Sequence, residues 1–126
     1  MELDELKWTD ARNLRLLGKG WADTDKHYER FPGRAKGVVR DEVWELSRRT
    51  SGLRLHFVTD SPVIAVDWVL PDDEPIGSDH MPATGKSGLD LYVRHNGGWH
   101  WLAVSRIDGP GRNRKILVPS MLPGVH

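Results

Sequence analysis

The side chains that could do chemistry are few and scattered. Gly77-Ser78-Asp79-His80 sets three residue types of a hydrolytic triad side by side. A working triad draws nucleophile, base and orienting acid from distant segments, so adjacent loop residues cannot align in those roles. No Gly-x-Ser-x-Gly elbow occurs, so the usual device for exposing a serine nucleophile is missing. Histidines stand at 27, 56, 80, 95, 100 and 126, without His-x-His or His-Glu-x-x-His spacing, and the sequence implies no metal or cofactor. Asp72, Asp73, Glu74 and Asp79 could surround a hard cation, but an acidic turn is the commoner meaning of such a run. Gly109-Pro110-Gly111-Arg112-Asn113-Arg114-Lys115 could cradle an anion on backbone N–H groups, yet it lacks the Gly-Lys-Ser/Thr of a phosphate loop. It reads as a basic hairpin turn.

Aromatic side chains carry the other chemistry, because flat faces can stack on sugar rings. There are six tryptophans among 126 residues. Trp68 alternates with Ile64, Val66 and Leu70 and belongs to a core face. Trp99 and Trp101 share one face of one strand, expected to be the core face. Trp44 heads a strand and is the candidate for ligand stacking. Asp90 and Tyr92 project opposite Leu89, Leu91 and Val93, either to solvent or toward a partner.

The elements that must hold these residues are short strands. Residues 14–17, 43–46, 53–58, 63–70, 89–94, 99–104 and 115–118 have strand patterning. A helical turn fits 2–7, and 21–37 reads as a long loop. Thr59-Asp60-Ser61-Pro62 is a turn that joins its two flanking runs as a hairpin. Asn96-Gly97 is a second hairpin turn. Residues 71–86 form a long irregular loop of the kind that often has a function. The fold class is all-β: an antiparallel, jelly-roll-like β-sandwich with little helix. Residues 1–17 read as an N-terminal extension with a first strand, and 18–126 as the sandwich module.

Composition bounds the rest. Eighteen basic residues balance eighteen acidic ones, so no bulk field draws the chain to nucleic acid or anionic lipid. There are no cysteines, which excludes disulfides and thiol catalysis. No apolar run is long enough to span a membrane, and the acidic N-terminus is no secretory signal. The compartment stays open.

Ser87-Gly88-Leu89-Asp90-Leu91-Tyr92 contains a Gly-x-Asp-Leu-Tyr motif. Upstream stand Tyr28-Glu29-Arg30-Phe31-Pro32 and the run Val43 to Leu53, with His80-Met81 and Trp99-His100-Trp101 later. In this order they resemble the GxDLY domain, the N-terminal module of bacterial SGNH (GDSL-like) hydrolases, over about 18–120. The resemblance implies a noncatalytic β-sandwich ahead of an SGNH esterase or lipase-like domain, whose substrate entrance it helps to shape. It implies that the triad lies in that second domain, beyond this sequence, and that the sandwich is incomplete at its C-terminal end. Gly88, Asp90, Tyr92, His80 and Met81 carry over as motif and interface residues. The implied partners are the hydrolase domain, a carbohydrate or acyl-ester substrate, or a second copy in a homodimer. The alternative is an autonomous carbohydrate-binding module.

Four expectations follow. Leu53, Leu55, Phe57, Ile64, Val66, Trp68, Leu89, Leu91, Val93, Trp99 and Trp101 should face one interior. The chain alone should not hydrolyse esters. An uncovered Asp90/Tyr92 face or strand edge near 115–126 should favour association. Asp90 should accept hydrogen bonds from Ser87 or loop N–H groups and hold the 71–86 loop.

Overall fold

A computed structural model describes residues 3–71, 88–122 and 124–126. Among these, six strands and one short helix form, and every strand pairing is antiparallel. This is the all-β class expected of a β-sandwich. The chain divides into two compact units, residues 8–57 and residues 1–7 with 58–126.

In the 8–57 unit, β1 (Arg15–Leu17) pairs with β2 (Arg54–His56), Leu16 opposite Leu55. Two glycines let the ends of this ladder close. Gly18 has φ +82°, and a Cβ there would sit 2.2 Å from the Gly52 carbonyl oxygen. Only glycine permits that approach and that backbone together.

The run at 43–46, expected to be a strand, is instead part of helix α1 (Asp41–Ser47). Asp41 and Glu42 lie in its first turn, where the helix dipole favours acids. Trp44 and Ser47, three apart on one face, are its buried residues. The Ser47 hydroxyl donates to the Trp44 carbonyl at 2.6 Å. Arg30 closes the other end. Its Nη2 donates to the Leu46 carbonyl at 2.5 Å, its Nε to that of Arg49 at 3.0 Å, and its N–H to that of Ser47 at 3.1 Å. A cation on the orphan carbonyls of a helix C-terminus is favourable. Helical spacing thus uses the same Val43-Trp44-Glu45-Leu46 pattern to bury one tryptophan and leave Leu46 63% exposed.

In the other unit, β3 (Ile64–Leu70) pairs with β6 (Gly111–Val118), and β4 (Asp90–His95) with β5 (Gly98–Val104). The 53–58 and 63–70 runs are therefore not a hairpin: β2 pairs with β1, and β3 with β6. The Thr59-Asp60-Ser61-Pro62 segment still turns tightly. Ser61 N donates to Thr59 Oγ1 at 3.0 Å. Thr59 also exchanges two backbone hydrogen bonds with His126, at 3.0 and 2.8 Å.

One face of the β3–β6 ladder is ionic. Asp67 receives Nε and Nη2 of Arg112 at 3.0 and 2.5 Å, and Arg114 reaches Asp4 at 3.1 Å. The opposite face carries Val66, half-buried Trp68 and fully buried Asn113.

Candidate functional site

The residues of the Gly-x-Asp-Leu-Tyr motif lead into β4, and the Asn96-Gly97 turn decides what lies opposite them. Asn96 (φ 50°) and Gly97 (φ 78°) both adopt left-handed backbone, the requirement of a two-residue type I′ hairpin. That turn sets His95 opposite Gly98, hence Arg94 opposite Trp99 and Tyr92 opposite Trp101. Residues directly opposite share a face. Trp99 and Trp101 therefore stand beside Tyr92, not beside Leu91 and Val93. Their placement in the core is overturned: Trp99 is 51% exposed, Trp101 59% and Tyr92 51%. Phe57 and Leu89, also expected inside, are 43% and 38% exposed. Leu53, Leu55, Ile64, Val66, Trp68, Leu91 and Val93 are half-buried.

The site is thus an exposed aromatic face of one hairpin. The Arg94 guanidinium carbon lies 6.0 Å from the Trp99 ring centroid, at the outer reach of a cation–π contact. The register shifts between Leu91 and Tyr92, which makes Leu102 the extra residue of a bulge. Beyond the bulge, Asp90 stands opposite Val104.

Ser105 holds the motif in place. It is 1% exposed. Its hydroxyl accepts from Leu89 N at 2.6 Å, and its own N–H donates to the Leu89 carbonyl at 2.9 Å. This closes the ladder one residue ahead of Asp90. Among the described residues the anchoring is done by Ser105; the partners expected of Asp90, Ser87 and residues 72–86, lie outside them. Asp90 is exposed, and no hydrogen bond holds its carboxylate among the described residues. Gly88 is half-buried just before this clamp. His80, Met81, Ser87, the Gly77–His80 run, the acidic cluster and the rest of the 72–87 loop lie outside the described residues.

The basic turn has a structural use. Asn113 is 1% exposed; its Oδ1 accepts from Asp108 N at 2.9 Å, and its Nδ2 donates to the Gly109 and Gly111 carbonyls at 3.0 and 3.2 Å. Lys115 pairs with Asp108 at 2.7 Å, and Arg112 with Asp67. The cations that might have met an anion are matched by carboxylates. Arg112 beside it holds the Asp67 carboxyl below its ordinary value, against an opposing push from burial.

Trp44, the stacking candidate, is 7% exposed and forms the core of the 8–57 unit. It presents no open ring face. It lines a cleft of about 210 Å³ with Asp25, Lys26, Glu29, Lys36 and Arg48. Buried Glu29 is 3.4 Å from Arg48 Nε there. No group of three or more metal-ligating side chains occurs among the described residues, and no described helix is long and apolar enough to cross a membrane.

The signal for the aromatic face is local. An Asn-Gly turn between two strands fixes opposite partners by counting outward, and that count puts both tryptophans on the Tyr92 side. Ser105 and Asn113 carry no such signal, since nothing in their neighbours separates a buried polar clamp from a surface residue.

Comparison with known proteins points the same way as the motif. No curated protein matches the chain. A solved structure described as a GDSL-like lipase from Bacteroides ovatus superposes with a TM-score of 0.77 at 29% identity. The match covers 91% of this chain and 33% of that one, so the chain spans about a third of the lipase-like protein's length. The family model for the N-terminus of SGNH-hydrolase-type esterases matches residues 6–120, and the chain belongs to that GxDLY family.

Proposed function

We propose that the chain is a noncatalytic module that packs its β4–β5 aromatic face against an SGNH-type catalytic domain and shapes that domain's substrate entrance. The observation that carries this reading is the exposure of Tyr92, Trp99 and Trp101 together on the strands that hold the family motif. Clustered exposed aromatics mark interaction surfaces, and buried Ser105 sets them rigidly. The occupant is argued from length: the related lipase-like protein is about three times as long as the matched region. A carbohydrate-binding module is the second reading, favoured by the same two tryptophans.

Hydrogen exchange across 90–104 tests it, comparing this chain with a two-domain hydrolase that carries it. Protection of 92–101 in the longer protein, and lower ester turnover with Trp101→Glu, are the expected results. Equal exchange in both proteins would sink the docking reading. Protection of the same strands by soluble glycan in the isolated chain would favour the second. Protection that grows with the concentration of the isolated chain would instead assign the face to a homodimer.

A further inference from the structure

A separate cleft lies in the 8–57 unit, lined by Leu16, Lys19, Trp21, Ala22 and His27, with a volume of about 290 Å³. This is at the small end of ligand clefts, which run from roughly 300 to 1,000 Å³, and suits a single sugar ring. Trp21 is its aromatic wall. The residue is 44% exposed, and its ring is held edge-on by Phe31, with centroids 5.3 Å apart and planes at 80°. Such a contact fixes the ring while leaving a face open.

The polar groups of the cleft are unevenly matched. Lys19 Nζ donates to Thr24 Oγ1 and to the His27 carbonyl, both at 2.7 Å. These two neutral oxygens hold a half-buried ammonium in place, and an ammonium has a third donor. No carboxylate pairs with it among the described residues. His27 adds a ring whose buried Nε2 lacks a hydrogen-bond partner in the described residues. A buried polar atom left so has lost its water without gaining a partner, which favours a ligand that supplies one. His27 is itself fixed by an edge contact to Tyr28 at 4.7 Å.

From this arrangement we infer that the cleft is a binding site for a pyranose bearing a carboxylate, a hexuronic acid. The sugar ring stacks on Trp21, its carboxylate takes the spare Lys19 donor, and an oxygen of the ligand approaches His27. The aromatic wall selects a ring over a small acid, and the ammonium selects an acidic sugar over a neutral one. The site is independent of the β4–β5 face, so neither inference stands or falls with the other.

Amide NMR titration of the full chain with glucuronate, glucose and acetate tests it. Glucuronate should shift amides over 16–27 and bind about tenfold tighter than glucose or acetate, a difference of about 1.4 kcal/mol. Lys19→Gln, which can still bond Thr24, should bring glucuronate and glucose within about twofold of each other. Trp21→Ala should abolish both sugar titrations. An unchanged amide spectrum beyond 16–31 serves as the folding control. Added salt offers a route without substitution: it should weaken glucuronate and leave glucose unaffected. The inference is overturned if glucose or acetate equals glucuronate, if shifts fall on 90–104 instead, or if salt has no effect.

Discussion

Trp44 and Trp101 are the same residue type in two units of one chain, and they end at 7% and 59% exposure. Trp44 sits in a helix whose spacing turns one residue in three or four inward, and its unit packs around it. Trp101 sits in a strand where the opposite residue decides the face, and its partner is Tyr92. A tryptophan's apolar area is therefore no guide to its burial. Period and register are. The difference also separates two uses of aromatic surface: Trp44 holds its unit together, while the hairpin tryptophans are held out by a clamp, Ser105, that is itself fully buried.

The largest expected effect tests this directly. Trp44→Ala should cost about 3–5 kcal/mol, the range for a large core side chain. Trp101→Ala should cost no more than about 1 kcal/mol, the worth of a cross-strand pair with Tyr92. Urea unfolding of both variants by circular dichroism measures the contrast. Equal losses would break it, by making the hairpin face a core in its own right.

The glycines sharpen the same comparison inside the 8–57 unit. Gly18 and Gly52 have φ of +82° and +83°, but only Gly18 has a backbone atom where a Cβ would go. Gly52→Ala should cost about 1–2 kcal/mol, the left-handed penalty alone. Gly18→Ala must also push the Gly52 carbonyl away, so it should exceed Gly52→Ala clearly in thermal melts. Matching melts would mean that the β1–β2 ends separate at little cost.

At the motif, Ser105→Ala leaves the part-buried Leu89 N–H without its acceptor and should cost about 1 kcal/mol, the usual net worth of one hydrogen bond. Asp90→Asn, on an exposed side chain with no hydrogen bond among the described residues, should stay within about 0.5 kcal/mol. Amide exchange at Leu89 reads the same contrast locally. A costly Asp90→Asn with a harmless Ser105→Ala would assign the anchoring role to the aspartate.

Much of this was legible before the structure. Alternation at 64–70 and 90–95, the Asn96-Gly97 turn and the all-β class follow from period-two patterning and turn chemistry, which are local. Pairing is not local. β3 finds β6 across more than forty residues, and no turn signal can name such a partner. The Val43–Leu46 run suits a strand or a helix equally, because four apolar-rich residues fit either period. What decides for helix is Arg30, more than ten residues upstream, sealing the carbonyls of the last turn. Likewise alternation puts Trp99 and Trp101 on one face of a strand but does not say which face; the hairpin register does.

The smallest expected effect is a pH dependence, and it too compares the units. In the 8–57 unit, the Arg12 side chain and N–H donate to Asp10 and lower its carboxyl from 3.8 to about 2. In the other unit, Arg112 lowers Asp67 from the same ordinary value. Both folded carboxyls lose their protons more readily than unfolded ones. Between the two values the unfolded chain binds more protons, so stability rises with pH there. The contribution is complete above about pH 5, where the unfolded carboxyls are ionised too, and is lost as pH falls through the lowered folded values. Each aspartate is bonded by Nε and Nη2 of one arginine, but the Asp10 side chain is about twice as exposed and its pair is screened, while Asp67 also lies 3.6 Å from a second cation, Arg114 Nε. Asp67→Asn should therefore flatten the acid limb of a melting-temperature profile more than Asp10→Asn does. Asn still caps a turn, so the Asp10 variant should match the parent at the acid end. An equal flattening by both would place the acid sensitivity in surface charge generally, and not in the Asp67–Arg112 pair that ties β3 to β6.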